Sequence, residues 1–136
     1  MTDLNDFNDF SQYAPSGHLL WDSDGNPATV QHVAINASTN GDNTLVAAVS
    51  NKKIRVLQLF LLVDEDTDVQ FKRGGTALTG VMKLYSNVTA LISSNNGYIL
   101  LPFSPVGWFE DTAINEAFIA NLSGGDAQGC MAYIEV

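Results

Sequence analysis

A chain of 136 residues that is 46% hydrophobic and 10% aromatic is long enough for one domain with a real core. Its formal charge of −9, from fifteen acidic and six basic residues, repels a phosphate backbone and argues against nucleic-acid binding. The longest apolar run, Leu59 to Val63, is too short to span a bilayer, and the opening MTDLNDFNDF lacks the basic-then-apolar layout of a secretory leader.

Residues 1–28 form a first region, with Asp3, Asp6, Asp9, Asp22 and Asp24, no Lys or Arg, and turn signals at Pro15-Ser16-Gly17 and Asp24-Gly25-Asn26-Pro27. Leu4, Phe7, Phe10, Tyr13 and Trp21 are too apolar for a solvated tail, because each loses hydrophobic free energy in water. They suit an arm that docks on a partner, and they equally suit a segment folded back over its own domain.

From residue 29 the pattern turns to β. Val33, Ile35 and Ala37 alternate with polar neighbours, and Leu45, Ala47 and Val49 follow an Asn40-Gly41-Asp42-Asn43 turn. The strand from Ile54 to Val63 is apolar on both faces after Arg55, where alternation should leave one face polar. Leu57, Leu59 and Leu61 are therefore candidates for a subunit interface, the alternative being a central strand covered by the arm or by loops. Further strands are expected at 68–72, 78–85, 98–103, 118–122 and 130–136. The turns fall at Arg73-Gly74-Gly75, Ser94-Asn95-Asn96-Gly97 and Gly124-Gly125-Asp126. Eight or nine short strands at regular spacing predict an all-β, jelly-roll-like antiparallel β-sandwich over 29–136, with one helical turn allowed at 112–117.

Chemistry is sparse. Asp64-Glu65-Asp66-Thr67-Asp68 begins like a calcium loop, but Val69 and Gly75 stand where such a loop needs glycine and glutamate, so a solvated hairpin tip is expected. Asp22-Ser23-Asp24-Gly25 reads as a turn. His18 and His32 lack ligand-spaced partners, and no nucleophile elbow or phosphate loop occurs. Cys130, the sole cysteine, is expected to be a buried, inert thiol. Sequons at Asn36, Asn87 and Asn121 have no secretory context. Glu110, Asp111 and Glu116 could supply paired carboxylates, but nothing couples them. The expectation is a protein without catalytic residues, cofactor or metal. In LPFSPVGWFE, residues 101–110, Pro102 and Pro105 remove ladder donors, so the chain leaves the sheet there. Trp108 and Phe109 are expected to turn inward and seal the sandwich end.

Four ordered segments carry a resemblance: NGDNTLVAAVSNKKIRVLQLFLLV, VQFKRGGTALTGVMKLYSN, GYILLPFSPVGWFE and AFIANLSGGDAQGCMAYIEV. Together they resemble a family of small β-proteins encoded among tailed-phage structural genes. The shared features are the Gly-Asp-Asn turn, the Lys-Lys-Ile-Arg-Val-Leu strand start, Gly-Thr-x-Leu-Thr-Gly, and Leu-Pro-Phe-x-Pro-x-Gly-Trp-Phe. Similar proteins act as capsid decoration (cement) proteins or short head or tail fibre components. The resemblance implies a jelly-roll-like sandwich, trimeric association and no catalytic residues. It covers about residues 29–136; the first 28 residues, the acidic 64–68 stretch and the 86–96 segment depart from it. It implies a virion protein made in the host cytoplasm and placed on the capsid outer surface, with the major capsid protein and itself as partners. On that reading Leu4, Phe7, Phe10, Tyr13 and Trp21 dock on the coat, while Leu57, Leu59 and Leu61 join a homotrimer. The alternative is a fibre module that stacks a host glycan on an exposed Trp108 or Trp21.

Overall fold

The computed structural model describes residues 20–89, 92–95 and 97–136. These residues form eleven strands and no helix: β1 (Gln31–Ala37), β2 (Gly41–Val46), β3 (Ile54–Val63), β4 (Thr67–Arg73), β5 (Thr76–Ala77), β6 (Met82–Leu84), β7 (Asn87–Thr89), β8 (Ile92–Asn95), β9 (Tyr98–Leu101), β10 (Phe118–Leu122) and β11 (Ala127–Glu135). The count exceeds eight or nine for two reasons. The expected strand over 78–85 shrinks to β6, with the separate two-residue β5 just before it, and the 86–96 segment pairs with itself as the β7–β8 ribbon. No helical turn forms at 112–117; Asn115 instead takes a left-handed φ of 64° in a tight turn.

The strands make an antiparallel β-sandwich. One sheet runs β1-β11-β3-β9 and the other β2-β10-β4-β5, with β6 also on β4. The chain crosses between sheets at β1→β2, β2→β3, β3→β4, β9→β10 and β10→β11. The acidic stretch at 64–66 is therefore one of these corners and not a hairpin tip, because β3 and β4 lie in different sheets. Its carboxylates fold the corner: Asp64 Oδ1 accepts the Asp126 N–H at 2.7 Å, and Asp66 Oδ1 accepts the Ser86 N–H at 2.8 Å.

Between the sheets sits a core of inward alternate positions. Ile35, Leu59, Leu61, Val63 and Met131 come from one sheet, and Val46, Val69, Phe71, Phe118 and Leu122 from the other. Burying a Leu or Phe of this kind contributes about 1.5–3 kcal/mol. Phe71 and Phe118 stack at 5.4 Å, and Phe109 closes the cluster at 5.2 Å from Phe71. Phe109 thus seals the core as expected. Trp108 does not: it stays 42% exposed, and its indole N–H donates to the Pro102 carbonyl at 2.6 Å.

Residues 104–112 do not leave β3 altogether. They run beside its first half, where β9 does not reach: Ser104 N–H donates to Leu57 O, Trp108 N–H to Val56 O, and Thr112 N–H to Ile54 O. Arg55 clamps the segment with a two-toothed contact to Asp111, at 2.9 and 2.8 Å. That contact stabilises the charged guanidinium, and with it the pKa of Arg55 rises. Gly107, at φ 85°, lies so close to Arg55 that a Cβ would come within 2.8 Å of its Cγ.

The doubly apolar strand has a local cause. The β3–β11 register slips between Ala132 and Tyr133, which pair with Gln58 and Val56 and leave Leu57 as an extra residue. This bulge reverses the alternation: Ile54 and Val56 face inward before it, Leu59, Leu61 and Val63 after it. Leu57 joins a second buried cluster with Leu20, Ala28, Ile134 and Val136, backed by Val30 and Phe103. On β11 the members of this cluster alternate with Met131 and Tyr133, which face the central core, so the cluster lies on the outer side of the four-stranded sheet.

Candidate interaction surface

Leu57, Leu59 and Leu61, expected at a subunit interface, are each 0% exposed within a single copy. Leu59 and Leu61 belong to the core, and Leu57 lies beneath Leu20 and its neighbours. These three leucines are not available to a partner, and the interface expectation at them is corrected. Sequence reasoning took the wrong phase of β3. Outward positions Gln58, Phe60 and Leu62 carry the exposed face instead, and the signal was their alternation with the leucines.

The registers of four strands assemble that face into rows. Ala34 pairs with Cys130, Cys130 with Phe60, and Phe60 with Leu100, so one row without polar side chains other than a thiol crosses the sheet from edge to edge. On one side of it lie Asn36, Gln128, Leu62 and Tyr98; on the other lie His32, Ala132 and Gln58. Phe60 and Tyr98 rings stand 6.4 Å apart. Tyr98 is 60% and Leu100 59% exposed, and Ala34 and Cys130 are exposed too. A shallow groove of about 410 Å³ runs between Ala34, Phe60, Cys130 and Ala132. Across all three rows no side chain is Asp, Glu, Lys or Arg. Cys130 is thus an exposed thiol on this face, contrary to the buried one expected, because it occupies an outward position of β11.

Gly129 brings β11 against β3 here: a Cβ on it would fall 1.8 Å from the Phe60 carbonyl oxygen. No L side chain fits that approach.

Residues 20–28, placed with the arm on sequence grounds, pack on the sandwich. Trp21 bridges to Pro27, Ala28 N–H donates to Leu20 O at 2.9 Å, and Leu20 and Ala28 are buried. Asp22 organises the turn: its Oδ1 accepts the Asn26 and Asp24 N–H groups at 2.9 Å each, and Lys52 lies 3.4 Å from Oδ2. The Asn26 bond above all holds this carboxyl below its ordinary pKa. Trp21 remains 50% exposed. Leu4, Phe7, Phe10 and Tyr13 lie outside the described residues.

Glu110 and Glu116 serve as ties to Arg73. Glu116 and Glu110 face Arg73 at 3.6 and 4.0 Å, and no group of three His, Cys, Asp or Glu side chains among the described residues could hold a metal ion. No helix there is long and apolar enough to cross a membrane. No family model, curated protein or solved structure matches this chain.

Proposed function

We propose that this chain is a non-enzymatic structural protein of a tailed-phage virion that decorates the capsid and stabilises it by binding the coat lattice as a homotrimer. The observation that carries the reading is the uncharged, apolar outer face of the four-stranded sheet on a chain of net charge −9. Exposed contiguous apolar surface on an otherwise acidic molecule fits contact with other polypeptides, because like-charged copies repel everywhere else. Phe60, Leu62, Tyr98 and Leu100 take the self-association role first assigned to the buried leucines. Leu4, Phe7, Phe10 and Tyr13 supply the coat contacts. The alternation of the chain between sheets supports a jelly roll, the framework implied by the resemblance.

Such a protein needs no reaction chemistry. Tethered copies bind as one unit, so modest contacts sum to slow release. A ligand that binds only the assembled lattice stabilises it by mass action. The test is to add the purified full chain to capsids that lack it. Saturable binding with a raised capsid melting temperature is expected, and the absence of both overturns the reading. Trp21 and Trp108, each about half exposed, favour the glycan-binding alternative only if Trp→Ala changes abolish adhesion to host polysaccharide.

A further inference from the structure

Every sheet edge presents backbone N–H and C=O groups that the sheet itself leaves unpaired, and folded proteins blunt such edges. Three of the edges here are blunted. β2 carries Asp42 and meets β10 with a register shift between Phe118 and Ile119. β5 and β6 are two and three residues long. β9 has four residues and runs straight into Pro102. β1 has none of these features. Its seven residues, Gln31–Ala37, include no proline and no Asp, Glu, Lys or Arg, and they pair with β11 without a register shift. No described strand lies on its other side, and no backbone hydrogen bond reaches it there from the described residues.

We infer that β1 is a docking edge for a second copy of this chain, the two β1 strands pairing antiparallel about a two-fold axis at Ala34. The strand is self-complementary in that register. Ala34 opposes the partner's Ala34, Val33 opposes the partner's Ile35, and His32 opposes the partner's Asn36, the last two pairs each occurring twice by symmetry. An apolar β-branched pair and a polar pair both suit directly opposed positions. Val33 packs on the core but is only partly buried, so the added strand completes its cover. An axis between two residues would instead set inward positions against outward ones. With the axis at Ala34, outward-pointing N–H and C=O groups meet their own counterparts, giving about six to eight hydrogen bonds. On a chain of net charge −9, β1 also lets two copies meet without opposing carboxylates. Ala34 ends the row Ala34, Cys130, Phe60 and Leu100, so pairing joins two such rows across one continuous sheet.

The inference goes beyond the proposed function and needs no capsid. Phe60, Leu62, Tyr98 and Leu100 lie on β3 and β9, with β11 between them and the β1 edge, so both contacts can be made at once. Alone, the edge gives a dimer; combined with a trimer, it links one trimer to another.

The experiment measures the mass of the full chain by sedimentation under reducing conditions, with no capsid present, and compares it with Ala34→Lys. Ala34 is exposed, so the change sets like charges on the axis without entering the core. An even number of copies is expected for the native chain, and half that number for Ala34→Lys. A native monomer or trimer, or a mass that Ala34→Lys leaves unchanged, overturns the inference. Disulfide trapping in a Cys130→Ser background reads the register. Ala34→Cys should cross-link to its mate under mild oxidation, since opposed residues place their Cα atoms about 4.5–5.5 Å apart. His32→Cys should not, because its mate lies four residues along, about 14 Å away. Trapping as fast at His32→Cys as at Ala34→Cys, or at neither, also overturns the inference. A trimer that Phe60→Ser splits and Ala34→Lys spares supports the proposed function alone, so the two readings fail separately.

Discussion

The two outer faces of the sandwich follow the same two-residue alternation and end up chemically opposite. On the five-stranded sheet the outward positions, Ile119 apart, are mostly polar, and several are tied by charge. Asp42 accepts Lys72 Nζ at 3.0 and 3.1 Å and Asn121 Nδ2 at 2.6 Å, and Asp68 faces Lys83 at 3.6 Å. On the four-stranded sheet the corresponding positions are Ala34, Cys130, Phe60, Leu62, Leu100, Tyr98 and Ala132, flanked by His32, Asn36, Gln58 and Gln128, with no Asp, Glu, Lys or Arg among them. Folding alone asks nothing of either outer face, since both inward faces already fill the core. The difference therefore belongs to what each face is suited to meet: water on one side, and on the other, under the proposed function, apolar side chains of a neighbouring copy.

The largest expected effect comes from removing the geometry that holds the apolar face together. Gly129→Ala must push β11 away from the Phe60 carbonyl, and we expect a loss of about 3 kcal/mol or more in chemical denaturation, or failure to fold. A wild-type-like unfolding curve would mean the strands are not so closely paired. The sharpest contrast lies between adjacent residues of β3. Leu59→Ala empties a fully buried site and should cost about 3 kcal/mol. Phe60→Ser, one position along, should cost less than about 1 kcal/mol, yet weaken self-association on capsids. If the two substitutions destabilise equally, the division of β3 into core and contact positions is wrong.

That division also marks how far the sequence could be read. The β class, the sandwich, and the turns at Gly74 and Gly125 follow from local composition, and the structure has them where composition puts them; the turn expected over 40–43 falls earlier, at Thr39 and Asn40, with β2 already begun at Gly41. The face assignment of β3 did not follow, because a bulge is set by pairing with β11, and nothing local to Arg55-Val56-Leu57 announces the extra residue. Gly129 was equally silent: among the eleven glycines its role depends on a carbonyl 69 positions earlier in the chain. The acidic corner was misread as a hairpin tip for the same reason, since sheet membership of β3 and β4 is a long-range fact. The LPFSPVGWFE stretch fell between: its departure from the sheet was legible from the prolines, but its return alongside β3 depends on Arg55 and Asp111.

An intermediate effect is expected where that stretch is clamped. Asp111→Ala leaves Arg55 with 29% side-chain exposure and without its two-toothed partner. The loss should be about 1 kcal/mol, as for a partly exposed bidentate pair. Because the clamp holds the loop bearing Trp108 and Val106, faster proteolysis within 104–111 should accompany the loss, with the apolar sheet face unaltered. Unchanged proteolysis would show that backbone bonds to Val56 and Leu57 suffice to hold the loop.

The smallest effect tests the charged face through pH. The Asn121 bond first, and Lys72 second, hold the Asp42 carboxyl below its ordinary pKa. A carboxyl depressed in the folded state binds its proton more readily when unfolded, so its stabilising contribution is complete above the unfolded value. It is lost as pH falls from there through the folded value. The full chain should therefore lose stability progressively below about pH 4, and Asp42→Asn should flatten that slope while leaving stability near neutrality slightly lower. Phe60→Ser, on the opposite face, should leave the acid slope unchanged, since no ionisable group there gains or loses a partner. Urea midpoints of the three proteins between about pH 2.5 and 7 separate the outcomes. An unaltered slope in Asp42→Asn would detach Asp42 from the acid response and turn attention to Asp22, whose carboxyl is also held low, by its own turn.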